Sequence, residues 1–180
     1  RPALGPFFKL EEPLKSMEFC AGALATTAES ELLGEVIRPT ILVEREPGAR
    51  EVLKRRHPNA LILNEGWRVT PAQLDAWGIT VVHGSTSCVS FSPAGARKGM
   101  KDPDATLVNH LLMLVREMDQ GRGALMFSFE NVKEIQDHLE PARFEQFIRE
   151  SLPNHRVSIG IIQAATTQDP KVPGGEALVS

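Results

Sequence analysis

Cys88 lies in Thr86-Ser87-Cys88-Val89-Ser90-Phe91-Ser92-Pro93-Ala94-Gly95, just after a strand-like run from Ile79 to His83. A cysteine attacks as its thiolate, which needs partial exposure and positive surroundings. Arg97, Lys98 and Lys101 follow closely enough to supply that charge, and Gly84, Pro93 and Gly95 suit a shaped loop. The plain alternative is an inert thiol, the commoner fate of a free cysteine. The only other cysteine, Cys20, is read that way, at the end of a buried strand. Glu130 opens Glu130-Asn131-Val132 after the apolar run Leu125–Phe129. Its carboxyl can face the Cys88 loop across a crevice, or simply be solvated or sit at a helix N-terminus. Glu44 follows Thr40-Ile41-Leu42-Val43, where a carboxylate can accept both hydroxyl hydrogens of a ribose diol. A solvated charge is the plain reading there. Phe19-Cys20-Ala21-Gly22 ends the first strand and leads toward a helix, whose free N–H groups suit a polar ligand. Gly22 is a weak signal alone, because a phosphate-cradling loop usually carries more glycines.

These groups need a frame. The 180 residues are 42% hydrophobic and 24% charged, enough for one domain with a core. A net charge of −3 gives no overall basic field, so nucleic-acid binding would rest on a local patch. Two cysteines form no disulfide framework, which favours a reducing, intracellular compartment, nucleus or bacterial cytoplasm. No apolar run spans a membrane, no signal peptide is visible, and no Cys/His cluster has zinc-ligand spacing. The chain begins with Arg1 rather than Met and is expected to be one part of a larger protein.

Strand-like and helix-like runs alternate. Strands are expected at Ser16–Cys20, Thr40–Val43, Ala60–Leu63, Ile79–His83, Ala124–Phe129 and Arg156–Ile162. Helices are expected at Ala28–Leu33, Pro47–Arg56, Pro71–Trp77, Pro103–Met118 and Pro141–Leu152. Thr70 caps the third with Pro71 at its first position, and Gly78 stops it. Asp102 and Pro103 repeat the pattern. Leu107, Leu111, Leu114, Val115 and Met118 make one apolar stripe, and Phe144, Phe147, Ile148 and Leu152 another. Such alternation implies an α/β fold, a mostly parallel sheet with helices on both faces. Ligands then gather at the carboxyl ends of the strands, where Cys20–Gly22, Glu44, Asn64–Glu65, Gly84–Cys88 and Glu130–Asn131 all fall. The tail Thr166–Ser180 is polar and rich in Pro and Gly, hence loose.

Taken together, these loops resemble the DNA cytosine-5 methyltransferase family. Phe19–Gly22 looks like its opening Phe-x-Ala-Gly loop, and Glu44 stands like its ribose-binding acid. Ser87–Gly95 looks like its Pro-Cys-Gln-x-Phe-Ser-x-Ala-Gly catalytic loop, and Phe129–Val132 like its Glu-Asn-Val motif. The resemblance continues through Ala96–Leu107 and, weakly, into Ile161–Pro170. It implies a Rossmann-like, class I S-adenosylmethionine-dependent methyltransferase core over 15–165, after an N-terminal extension at 1–14. It also implies that Cys88 adds to C6 of a cytosine flipped out of DNA while Glu130 holds the ring edge. Phe19, Ala21, Gly22, Glu44 and Glu65 would form the cofactor pocket. Ser92, Arg97, Lys98 and Asn131 would meet the DNA.

The chain departs from that pattern. Ser87 replaces the loop proline, Val89 replaces glutamine, and Leu24 and Ala25 stand where glycine is common. No Arg-x-Arg motif follows Ala164. The target-recognition region is therefore expected on another chain or beyond Ser180. Two readings stand: the catalytic part of a divided enzyme, or an inactive methyltransferase-like domain that binds DNA or a protein. The run Arg50, Lys54, Arg55, Arg56, His57 can touch phosphates, although a charged helix face is usually just solvated. A third reading, a cysteine hydrolase pairing Cys88 with His57, His83 or His110, leaves Glu130-Asn131-Val132 unexplained.

Overall fold

The computed structural model describes residues 12–22, 36–66, 69–85, 88, 90–91, 106–122, 126–131, 135 and 141–160. Among them the chain runs β1 (Leu14–Phe19), β2 (Ile37–Val43), α1 (Pro47–Arg56), β3 (Leu61–Leu63), α2 (Pro71–Trp77), β4 (Val81–Ser85), α3 (Thr106–Arg122), β5 (Met126–Glu130) and α4 (Pro141–Ser151). The sheet order is β3-β2-β1-β4-β5, and every pair is parallel. From β1 the chain winds outward through β2 to β3, then returns to the other side of β1 for β4. The β1/β4 boundary is the topological switch point, and crevices open there beyond the carboxyl ends.

Side chains alternate across the sheet. Met17, Phe19, Ile41, Val43 and Val82 are buried in one cluster with Leu74 of α2, Val108, Leu111 and Val115 of α3, and Ile148 of α4. Leu42 joins Leu53 of α1 and Ala21 in a second cluster. Helices thus cover both faces, as the alternation implied. Each buried Leu or Ile contributes about 1.5–3 kcal/mol over an exposed one. Gly84 lets α3 close onto β4: a Cβ there would lie 2.1 Å from Leu111 Cδ2.

Local chemistry fixes the helix ends. In α2 the Thr70 hydroxyl accepts from Gln73 N at 3.3 Å while Gln73 Oε1 accepts from Thr70 N at 2.9 Å, a capping box. Gly78, at φ 71°, ends α2 in the left-handed conformation that favours glycine. Lys54, Arg55 and Arg56 fill the last turn of α1, where cations offset the helix dipole. In α3, Leu111, Leu114, Val115 and Met118 are buried and Leu107 packs on them, so the expected stripe faces the core. In α4, Ile148 and the following Leu152 are buried and Phe147 packs against them.

One expected strand is corrected. Residues 156–160 of the run Arg156–Ile162 are irregular. Val157 packs on the core but Ile159 is 38% exposed, so a single apolar contact holds the segment. The expected helix Ala28–Leu33, the cap at Asp102 and Pro103, and the tail Thr166–Ser180 lie outside the described residues.

Candidate functional site at the strand switch point

Past β1 the backbone turns sharply. Cys20 has φ 55° and Gly22 has φ 60°. A left-handed conformation is costly for a residue with a Cβ, and such strain collects at functional loops. Cys20, expected at the end of a buried strand, is partly exposed: the strand is buried only through Phe19, and the turn lifts the next residue out. A Cβ built on Gly22 meets nothing within 4 Å, so its backbone faces open space.

Glu44 clasps this turn to the next one. Its Oε2 accepts from Gly22 N at 2.8 Å, and its Oε1 accepts from Glu46 N at 2.7 Å. Ala21 N donates to Val43 O at 3.0 Å, and Glu44 N to Leu63 O at 2.9 Å, so the ends of β1, β2 and β3 are tied in sequence. Arg50 of α1 donates from Nη1 to the carbonyls of Glu44 (3.1 Å) and Arg45. The carboxylate has about four lone-pair positions, and the two backbone bonds leave room to accept from a ligand's hydroxyls.

Phe19 and Ala21 are both buried. Phe19 is fully buried, its ring edge-on to His110 at 6.4 Å, and Ala21 is buried against Leu42 and Leu53. The Phe19 ring also packs beneath the loop after β3: a Cβ on Gly66 would lie 2.4 Å from Phe19 Cε1 and 3.3 Å from Val43 Cγ1. Gly66→Ala should cost about 1–3 kcal/mol, the usual range for overpacking, because ring and sheet cannot swing away. Denaturant unfolding checks this, and an unchanged midpoint would show that the loop relaxes freely. Asn64 and Glu65 are exposed beyond β3, at the same edge of the sheet.

On the other side of the switch point, Cys88 is exposed. Its carbonyl accepts from Phe91 N at 3.0 Å, closing a turn that the fully buried Phe91 ring anchors in the core. Ser85 pairs with Glu130 in the last rung of the β4–β5 ladder, and its hydroxyl donates to Glu130 Oε2 at 2.8 Å. Two rungs back, on the same face, His83 Nδ1 and Ser128 Oγ are 2.7 Å apart. Asn131 follows Glu130, half-buried. The structure therefore places Cys88, Glu130, Gly22, Glu44 and Glu65 beyond one edge of the sheet. Ser92, Arg97 and Lys98 lie outside the described residues. His57 caps α1, His83 faces Ser128, and His110 lies against Phe19. Among the described residues no group of three or more His, Cys, Asp or Glu side chains can hold a metal ion, and no helix is long and apolar enough to cross a membrane.

The family model of C-5 cytosine-specific DNA methylases matches residues 14–168. The chain belongs to this family. A triple mutant of Spodoptera frugiperda DNMT2 superposes with a TM-score of 0.59 at 19% identity, over 78% of this chain and 40% of that one. Entamoeba histolytica methyltransferase EhMeth gives 0.60 at 17%, over 78% and 43%. A putative DNA modification methyltransferase encoded within an Escherichia coli prophage gives 0.59 at 18%, over 78% and 38%. These likenesses establish the Rossmann-like methyltransferase fold, and this C-5 methylase chain spans about two fifths of each of those proteins. Among curated proteins none matches.

Ser85 and Gly66 were missed in the sequence, for different reasons. Ser85 stands in a strand-end segment already singled out, but its pairing with Glu130 depends on a register across 45 residues. Gly66 follows Asn64-Glu65 as an ordinary loop glycine, and only the Phe19 ring beneath it explains why it has no side chain.

Proposed function

We propose that this chain is the cofactor-binding and catalytic part of an enzyme that methylates C5 of cytosine in DNA. The observation that supports the reading is that the Cys88 turn, Glu130 and the Glu44–Gly22 clasp all lie beyond the carboxyl ends of the parallel strands, in a member of this family. The open space over Gly22 fits a ligand lying against the backbone, and Glu44 keeps acceptor capacity for a ribose. Gly22, Glu44 and Glu65 are assigned to holding S-adenosylmethionine, which supplies an electrophilic methyl group on a sulfonium.

The chain's own residues then act on the base. Cytosine C5 is a poor nucleophile within an aromatic ring, so addition must come first. The Cys88 thiolate forms a bond to C6, and the C5=C6 electron pair moves into the ring toward N3. Glu130 gives its proton to N3 and so neutralises the charge arriving there. C5 takes up the methyl group and N3 gives its proton back to Glu130; a base then removes the C5 proton, the double bond reforms, and the C6–S bond breaks to return the thiolate. The target base leaves the stack because its C6 face is otherwise covered. The net charge of −3 supports a division of labour, with another region or chain supplying the positive surface for target recognition.

The test is a covalent trap. The protein is incubated with S-adenosylmethionine and an oligonucleotide containing 5-fluorocytosine, whose fluorine blocks the final elimination. Intact mass under denaturing conditions should show one adduct, mapping to Cys88. A missing adduct with cofactor binding retained would mean that a partner must complete the enzyme. Loss of both would favour the inactive, partner-binding domain, the reading that Ser87 and Val89 beside the thiol speak for.

A further inference from the structure

We infer that Ser85 is a positioning residue that fixes which oxygen of Glu130 carries the proton and meets the base; this rests on the reading of Glu130 given above. Glu130 stands exposed at the last residue of β5, with a long side chain and no burial to hold it. Left alone, such a side chain samples many rotamers, and fixing it costs conformational entropy. Ser85 removes that freedom. It lies directly opposite in the parallel ladder, and its hydroxyl donates to Oε2 at 2.8 Å. Ser85 is also the last residue of β4, three positions before Cys88. One backbone segment therefore sets both the root of the nucleophile turn and the aim of the acid.

The bond has a chemical direction. In a carboxylic acid the carbonyl oxygen is the better acceptor, so a hydroxyl donating to Oε2 favours the proton on Oε1. That leaves Oε1 to donate to a ring nitrogen. When the proton moves from Oε1 to N3, Glu130 becomes a carboxylate and the Ser85 bond becomes charge-assisted, hence stronger. The gain comes as charge develops, which is where binding energy accelerates a reaction. Ser85 thereby assists the acid without touching the base. Two rungs back, paired polar side chains recur on this face of β4 and β5: His83 and Ser128 are 2.7 Å apart. Only the Ser85 pair stands at the carboxyl end of the strands, beside the turn that presents Cys88.

The experiment has two readouts on the whole chain. Three-bond couplings of the Glu130 side chain should report one dominant rotamer in the wild type and averaging in Ser85→Ala. Single-turnover formation of the 5-fluorocytosine adduct should slow about tenfold in Ser85→Ala, with cofactor affinity unchanged, and recover in Ser85→Thr, which keeps the hydroxyl. In a Glu130→Gln background, Ser85→Ala should add no further loss, because both changes act on one interaction. An adduct rate in Ser85→Ala equal to the wild type overturns the inference while leaving Cys88 as the nucleophile. An equal slowing in both backgrounds also overturns it, by showing that Ser85 acts elsewhere. No adduct and no cofactor binding in the wild type sinks the catalytic reading itself, and the inference with it; with cofactor binding retained and no adduct, the rotamer couplings decide. Glu130 rotamers averaged alike in both proteins overturn the positioning role without reference to activity.

Discussion

Cys88→Ala should abolish the 5-fluorocytosine adduct and lower methyl transfer by roughly 10⁴-fold or more, as removal of a covalent nucleophile does elsewhere. The protein should remain folded. Cys88 is exposed, and its structural contribution is its backbone carbonyl, which alanine keeps for the Phe91 N–H. An exposed substitution of this kind changes stability by about 0.5 kcal/mol or less. The two readouts separate the outcomes. A lost adduct with an unchanged unfolding midpoint assigns the thiol its role. A lost adduct with a collapsed midpoint would instead mean that the turn needs sulfur for packing. Methylation at the wild-type rate would sink the covalent mechanism, whatever the midpoint.

Glu44→Ala carries the second large effect. The wild-type carboxylate joins two loops through charge-assisted bonds to Gly22 N and Glu46 N. Hydrogen bonds to a charged group contribute about 1.5–3 kcal/mol each, less where solvent screens them, and Glu44 is only half-buried. Two losses coincide in the variant: the diol loses its acceptor, and the turn at Gly22 loses its clasp. Cofactor affinity should fall about ten- to a hundredfold, read by titration calorimetry. Glu44→Gln should do less damage, since one amide oxygen still accepts while the amide nitrogen faces an N–H donor. Unchanged affinity in Glu44→Ala would take this residue out of the cofactor site and leave it as a purely structural tie.

What was legible in the sequence was what local chemistry dictates. The α2 helix falls on Pro71–Trp77 as expected because Thr70, Pro71, Gln73 and Gly78 each act within one turn. The strands β1 to β5 were visible as short apolar runs, and their parallel order follows from the helices between them. Cys88, Glu44 and Glu130 stood out because strand ends are where polar groups are available. What stayed hidden depends on distant partners. Where the Phe19 ring lies could not be read from its loop: alternation along β1 turns it into the core with Met17. No local pattern marks Cys20 for a left-handed backbone. The run 156–160 had the composition of a strand, but only Val157 of its apolar residues packs against the core.

The central place of β1 also sets an order in time. Its ladder with β4 begins with Ser16 and Val81, 65 positions apart along the chain, whereas Gly22 and Glu44 are 22 apart. Pairings between distant segments form slowly, because the intervening chain must be closed before they are rewarded. During synthesis the Glu44 clasp can form once β2 has emerged, while the thiol has no counterpart until β4 crosses back to β1. Cys88 is therefore expected to reach the carboxyl ends of the strands in a late folding step, after the turn at Gly22 has been tied to Glu44.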